Sequence, residues 1–381
     1  MKTHLLHRVL ISVITLVFAM SVTIEKAHAY HYWECEGERI KWPGEHIRWR
    51  ASRTSFPEGD IRRTALEHAG TLWNEAPGEF TFNNPPRWGD GSVGRENGQN
   101  EAWFSSNEDV LDGAPAICWW VTSCWCFFGC GGEIEETDIV FRNDLLWSLL
   151  EGPWQTTAAY GGRWRPFQTT ALHEMGHALG LGHENHTYNI MGQDWTHIEI
   201  TAMGQLVCYA GEDAGNGEVF LYGEDIGGND LGVTHWKYGG EAGEYSRHVL
   251  TWLLSEFGSG VDSEPFPPGV TETRRYEVRR GSRYQVEFTY ENNGIGDLDN
   301  VNIGYYISTS DIITTIDRRI STTTMDLSRG TANTRRHTLT IPNDLHVGLT
   351  YWIGVIVDYT DDIDERNELN NQSWIAIEII P

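Results

Sequence analysis

The stretch His173-Glu174-Met175-Gly176-His177-Ala178-Leu179-Gly180-Leu181-Gly182-His183 spaces three histidines and one glutamate as a metal ion would require. On a helix, His173 and His177 stand at i and i+4, so both imidazoles leave the same face and can reach one ion. Gly180 can adopt a left-handed backbone, which ends the helix and turns the chain so that His183 arrives as a third nitrogen donor. Three protein ligands leave the fourth position of a tetrahedral ion to water, which separates a catalytic zinc site from a closed structural one. Zinc so held lowers the pKa of that water toward ~7 and polarises a carbonyl. Glu174 is then the candidate catalytic residue, general base toward the water and general acid toward a leaving amine. One histidine on an apolar helix face would read as core. Three at ligand spacing, with a glutamate adjacent and a glycine at the required turn, read as a Zn2+ site.

These eleven residues resemble the motif of the metzincin metalloproteases. Met191, eight residues after His183 in Tyr188-Asn-Ile-Met191-Gly-Gln, narrows the resemblance to the matrixin branch. The resemblance implies an α+β architecture: a metzincin catalytic domain with a twisted mixed sheet and an active-site helix, its methionine turn setting Met191 beneath the metal. It further implies a secreted zinc endopeptidase whose protein or peptide substrate lies extended and antiparallel to an edge strand. Gly113-Ala-Pro-Ala-Ile-Cys-Trp119 is the candidate edge, since Pro115 suits an unpaired side; an ordinary loop or hairpin is the alternative. Structural Ca2+ is a further implied cofactor, with Asp138 and Asp144 as candidates but no complete ligand set.

Glu184 stands where matrixins commonly have serine, Gly192-Gln193 replaces their usual Tyr-Pro, and no tyrosine stands two residues after Met191. None of these departures touches the zinc ligands, and His186 is a competing donor that the spacing disfavours. The same chemistry fits a cell-wall peptide amidase. A surface-binding or adhesion protein with a structural or idle zinc is the reading from another class.

The elements that must position these residues are partly readable. Asp60 is a plausible N-cap for a helix with apolar positions Ile61, Ala65, Ala69 and Leu72, and a second helical pattern runs from about Phe167 to Leu179. The Gly-, Asn-, Asp- and Pro-rich region Phe80–Asn107 predicts turns around short strands such as Ala102-Trp-Phe104, and Asp138–Phe141 predicts another strand. Most of Trp119, Trp120, Trp125, Trp147, Trp154 and Trp164 are expected in the core.

At Ser263-Glu-Pro-Phe-Pro-Pro-Gly-Val270 the prolines predict an extended linker. Beyond it the period becomes two: Tyr284, Val286, Phe288, Tyr290; Val301, Ile303, Tyr305, Ile307; Ile375, Ile377, Ile379. Turn segments such as Asn292–Gly296 and Ser328–Gly330 separate these runs, which predicts an all-β, immunoglobulin-like antiparallel sandwich. The closing stretch Tyr351-Trp-Ile-Gly-Val-Ile-Val-Asp358 with Asp364-Glu-Arg-Asn-Glu-Leu-Asn-Asn371 resembles bacterial cell-adhesion-related immunoglobulin-like (CARDB-type) domains. That resemblance implies an accessory unit directed at a cell-surface or matrix component. Its Asp-to-Asn-Asn stretch reads as a polar turn, with Ca2+ binding as the alternative.

The whole chain, 381 residues with 40% apolar and 22% charged types, suits two or three globular units. Lys+Arg 28 against Asp+Glu 54 gives a net charge of −26, which disfavours phosphate backbones, so no nucleic-acid partner is expected. Met1–Ala29 carries early basic residues, the apolar run Val9–Met20 and the small-x-small site Ala27-His-Ala29, the pattern of a secretory signal peptide. The run is shorter than the ~20 residues of a bilayer span. The expected product is therefore secreted, not membrane-spanning after cleavage, with a metalloprotease domain over 30–262, a linker over 263–270 and the sandwich over 271–381. Export makes disulfides the expected fate of Cys35, Cys118, Cys124, Cys126, Cys130 and Cys208, up to three bridges, with a structural zinc knot as the alternative. Cys35 reads as bridged rather than as a thiol held at the zinc.

Overall fold

Asp60 starts the first helix, Ile61–Asn74, by accepting the Arg62 N–H on its side chain, and Ala65, Leu66, Ala69, Leu72 and Trp73 form its buried stripe. This computed structural model describes residues 31–89, 91–126, 130–148, 163–184, 189–192, 199–200, 206–225, 227–242, 245–266 and 273–381. The expected signal segment 1–29 and Trp154, His186 and Gln193 lie outside the described residues. The described residues are mostly β-sheet with few helices, and none of those helices is long and apolar enough to cross a membrane.

In the N-terminal part a seven-stranded mixed sheet runs Glu34–Cys35, Glu38–Lys41, Cys130–Arg142, Asn100–Ser105, Trp49–Ser52, Arg87–Gly89. From Glu38–Lys41 onward along that path the neighbours are parallel. The strand Ala116–Cys126 departs from it, pairing antiparallel with Cys130–Arg142 and, among the described residues, with no strand on its other side. The site helix Phe167–Leu179 packs on this sheet and on the first helix. Every one of its residues but His173 is buried, and the indole of Trp73 donates across to the Leu172 carbonyl at 2.8 Å. Small residues at Ala171, Gly176 and Ala178 let the neighbouring elements come this close.

The C-terminal part is a sandwich of two sheets. One holds Arg283–Asn292 with Thr331–Thr340, and the other has six strands, with Arg274–Arg279, Gln372–Ile380, Thr350–Val357, Leu298–Ser308 and Arg318–Leu327 in that order after Ser263–Pro265. The period-two residues face inward as expected: Val286 and Phe288, Ile303 and Tyr305, and Ile377 and Ile379 are all buried in one core.

Two expectations about boundaries are corrected here. Leu231–Thr234 and Leu253–Ser255 pair with Arg283–Asn292, so the sandwich draws on chain assigned to the protease domain over 30–262. The cause is burial: Leu231, Val233 and Leu253 are fully enclosed in the same core as Val286 and Phe288. Likewise the expected linker 263–270 begins with a paired strand, Ser263–Pro265 against Arg274–Tyr276. Pro265 is tolerated because this is an edge strand.

The Asp364–Asn371 stretch is more than a turn. Glu365 accepts the Leu231 N–H, Asn371 donates to Glu365 and Glu368, and Asn370 donates to Asp230 at 2.9 Å. Arg366 reaches the N-terminal part, donating to the Glu75 and Ala76 carbonyls at 3.1 and 2.7 Å and pairing with Asp225 at 2.7 Å. Burial pushes Asp230 up to about 7 and Glu365 up to about 8. Both pKa values are raised above the unfolded ones, so the stability linked to them is complete below the ordinary carboxylate range near pH 4 and is lost as pH rises through 7 to 8. Calorimetry is expected to show the thermal midpoint falling over that interval. Asp230→Asn, which can still accept from Asn370, flattens the fall and raises stability at pH 8 by on the order of 1–3 kcal/mol.

Candidate metal centre

Gly180 ends the site helix at φ 106°, and Leu181 N–H returns to the Gly176 carbonyl at 3.1 Å, so the chain doubles back toward the helix face that carries His173 and His177. The Nε2 atoms of His173 and His177 each lie 3.2 Å from Nε2 of His183. A tetrahedral ion with nitrogen bonds of ~2.0–2.1 Å would hold its ligands roughly 3.3 Å apart. The three rings therefore stand at zinc spacing, and among the described residues they are the His, Cys, Asp and Glu group that gathers three donors this tightly.

The tautomers follow from the outer nitrogens. His173 Nδ1 faces the Ile190 carbonyl and His177 Nδ1 faces the Leu181 carbonyl, both at 2.7 Å. A carbonyl only accepts, so these nitrogens carry the protons and Nε2 presents a lone pair to the centre. Burial lowers the pKa of His173. Burial, then the neighbouring His173 and His183, hold His177 well below the ordinary imidazole value. Neutral rings with converging lone pairs suit a cation.

Glu174 borders the same cleft, 6% exposed as a residue, its carboxyl raised to about 8 by burial and opposed by a hydrogen bond from the Cys118 N–H. Cys118 belongs to the Ala116–Cys126 strand, so the unpaired side of that strand faces the rings. Its Trp120 donates its indole N–H to the His177 carbonyl at 2.9 Å. Together they border a cleft of about 470 Å3 lined by His31, Trp33, Ala116, Ile117 and Trp120 as well as by the three histidines and Glu174. Of the expected edge Gly113–Trp119, Ala116–Trp119 form a hairpin arm with no strand on its outer side among the described residues, while Gly113–Pro115 precede that strand.

Met191 is 2% exposed and packs against Gly176, between the two helical histidines in sequence. Its N–H donates to Asn189 Oδ1 at 2.6 Å, and its carbonyl accepts the Glu184 N–H at 3.1 Å, tying the turn to the residue after His183. A Cβ on Gly176 would fall 2.3 Å from Met191 Sδ and 2.8 Å from the Trp73 ring. Glycine between the two helical ligands is therefore a packing requirement. Gly176→Val is expected to cost about 2–3 kcal/mol in chemical denaturation, because the fully buried Trp73 cannot move aside.

Of the residues singled out from the motif, His173, His177 and His183 converge and border one cleft with Glu174, while Met191 packs against Gly176 on the helix that carries two of them. Other expectations are revised. Two disulfides form, Cys35–Cys124 and Cys126–Cys130, which rules out a knot of four thiolates, while Cys118 and Cys208 stay unbridged. Cys118 borders the cleft, whereas Cys208 is enclosed beside Gln168 and Thr169. Asp144 does not join Asp138. It is exposed and lies 3.9 Å from Arg142, whereas Asp138 is buried with Glu136 and Glu101 and is raised to about 8, by burial first. Glu136 accepts from the Asn97 and Gly98 N–H groups, and Glu101 from Arg50 and Asn97. The alternation Glu136-x-Asp138 on a strand was the signal for that pairing. Of the tryptophans, Trp147 is core, while Trp125 and Trp164 are exposed. Trp33, which borders the cleft, carried no sequence signal.

Among curated proteins none matches the chain in sequence. Similar solved structures include the solution NMR structure of a CARDB domain from Pyrococcus furiosus, at 14% identity and TM-score 0.25, covering 41% of this chain and 98% of that one. A crystal structure of the Pyrococcus furiosus domain, described as in complex with di-metal ions, gives 16% identity and TM-score 0.23 over 34% of this chain and 89% of that one. A Niemann-Pick type C2 protein from the Japanese carpenter ant gives 10% identity and TM-score 0.23 over 41% and 97%. The CARDB family model matches residues 269–374, so the all-β sandwich that closes the chain contains a CARDB domain.

Proposed function

We propose that the N-terminal part is a zinc-dependent endopeptidase of the matrixin-like metzincin kind, exported from the cell and acting on extended polypeptide. The observation that carries the reading is the convergence of three lone-pair nitrogens beside Glu174 on the unpaired side of a strand. His173, His177 and His183 would hold the ion. Zinc in that position supplies a Lewis acid that polarises the scissile carbonyl and makes a water acidic near neutral pH.

The remaining steps belong to the chain. The outer edge of Ala116–Cys126 offers backbone donors and acceptors to an extended substrate, which then lies across the cleft as an added antiparallel strand. Glu174, oriented by the Cys118 N–H, takes the proton of the attacking water and passes it to the amine as the C–N bond breaks. The carbonyls of Ile190 and Leu181 keep the imidazoles in the tautomer and orientation this requires. The CARDB domain, locked to the protease through Arg366, serves to hold the enzyme at a cell-surface or matrix component.

Clearing of casein or gelatin by the zinc-loaded full chain, abolished by a chelator and restored by Zn2+, is the expected result. Cleavage of peptidoglycan fragments with none of unfolded protein would instead identify a cell-wall peptide amidase. Zinc binding with neither activity would leave a surface-binding protein whose metal is idle.

A further inference from the structure

We propose that Trp33 and Trp120 form a specificity wall that receives an aromatic or large apolar side chain on the N-terminal side of the bond to be cut. This rests on the endopeptidase reading above and adds a substrate class to it. Trp120 sits beside the centre, its indole bonded to the His177 carbonyl and its ring edge-on to the His177 ring at 5.9 Å. Trp33 comes from a remote segment and meets Trp120 in a T-shaped contact at 4.8 Å, yet it remains 46% exposed. Both border the cleft. An aromatic face left half open there is unfinished apolar surface, and a substrate side chain completes it.

Two attachments hold Trp33 in place. Upstream, the His31 carbonyl accepts the Gly182 N–H at 2.7 Å, beside the third histidine. Downstream, Cys35 is bridged to Cys124 in the outer half of the edge strand, with Cα atoms 5.8 Å apart. The segment is thus fixed both to the loop that carries His183 and to the strand that carries Trp120, and the wall is preorganised.

Polarity follows from strand direction. The edge strand runs from Ala116 past Cys118, which faces Glu174, to Trp120 and then Cys124. A peptide bound antiparallel to it runs the other way, so the residues before its scissile bond lie against Trp120 and Trp33. The residues after that bond lie toward Ala114 and Ala116.

The test uses zinc-loaded full chain and quenched fluorescent peptides that differ by Phe or Ala at each of three positions before the cleaved bond. Wild type is expected to favour Phe over Ala by roughly 10–100-fold in kcat/KM at one of them. Trp33→Ala is expected to bring that ratio below about threefold, and the Cys35→Ser/Cys124→Ser double variant to lose it likewise. Trp125→Ala, an equally exposed tryptophan outside the cleft, keeps it. An undiminished ratio in Trp33→Ala, or a preference confined to positions after the bond, overturns the wall; retention in the double variant overturns the tether. If wild type cleaves no peptide, the endopeptidase reading fails by itself. Binding of the same peptides to zinc-loaded Glu174→Gln, followed by tryptophan fluorescence, then decides the wall: a Phe preference that Trp33→Ala removes supports it, and equal binding overturns it.

Discussion

Glu174→Ala is expected to lower kcat on an unfolded-protein substrate by about 10²–10⁴-fold while leaving one zinc per chain and a similar KM. The His173 and His177 imidazoles do not depend on the Glu174 carboxyl for their outer hydrogen bonds. Their Nδ1 partners are the Ile190 and Leu181 carbonyls for His173 and His177, so the ligand set survives the substitution. What is lost is the group that accepts a proton from water and returns it to the amine. Glu174→Gln separates this role from packing, since it fills the same buried space without a basic oxygen. Steady-state kinetics with metal analysis on the same samples checks the result, and equal rates for wild type and either variant would reject the mechanism.

His177→Ala is expected to weaken zinc binding by on the order of 100-fold or more, one ligand's share of a binding free energy near 10–16 kcal/mol for a four-ligand site. His177 is the ligand most completely enclosed by the fold, 9% exposed, with its outer nitrogen on Leu181 and its backbone carbonyl on Trp120. Truncation therefore leaves a cavity and an unpaired Leu181 carbonyl as well as an incomplete ligand set. Competition against a fluorescent chelator reads the metal loss. Circular dichroism of the same sample separates it from unfolding, and undiminished zinc affinity in a folded variant would remove His177 from the site.

The motif was legible because its geometry is local. Two histidines four apart on a helix share a face whatever surrounds them, and Gly180 needs only its own left-handed conformation to bring His183 back. Asp60 was legible as a cap for the same reason, and so were the inward rows of the sandwich, since alternation on a strand is a property of that strand alone. The linker misled because a short edge strand tolerates proline, so composition could not tell a paired Ser263–Pro265 from an unpaired one.

By itself, then, the order of residues determined the three-histidine cluster, the glutamate beside it, the helix that carries most of them and the all-β character of the closing domain. The tertiary structure alone decided what surrounds them: that the Cys118 N–H meets Glu174, that Glu101 and Glu136 rather than Asp144 surround Asp138, and that Trp33 closes the cleft. It also decided that Leu231–Thr234 belongs to the sandwich. The reason lies in chain separation. The Cys35–Cys124 bridge spans 89 residues and Arg366 reaches Ala76 across 290, and contacts of that length are selected by which surfaces can be buried together, a property no local period encodes.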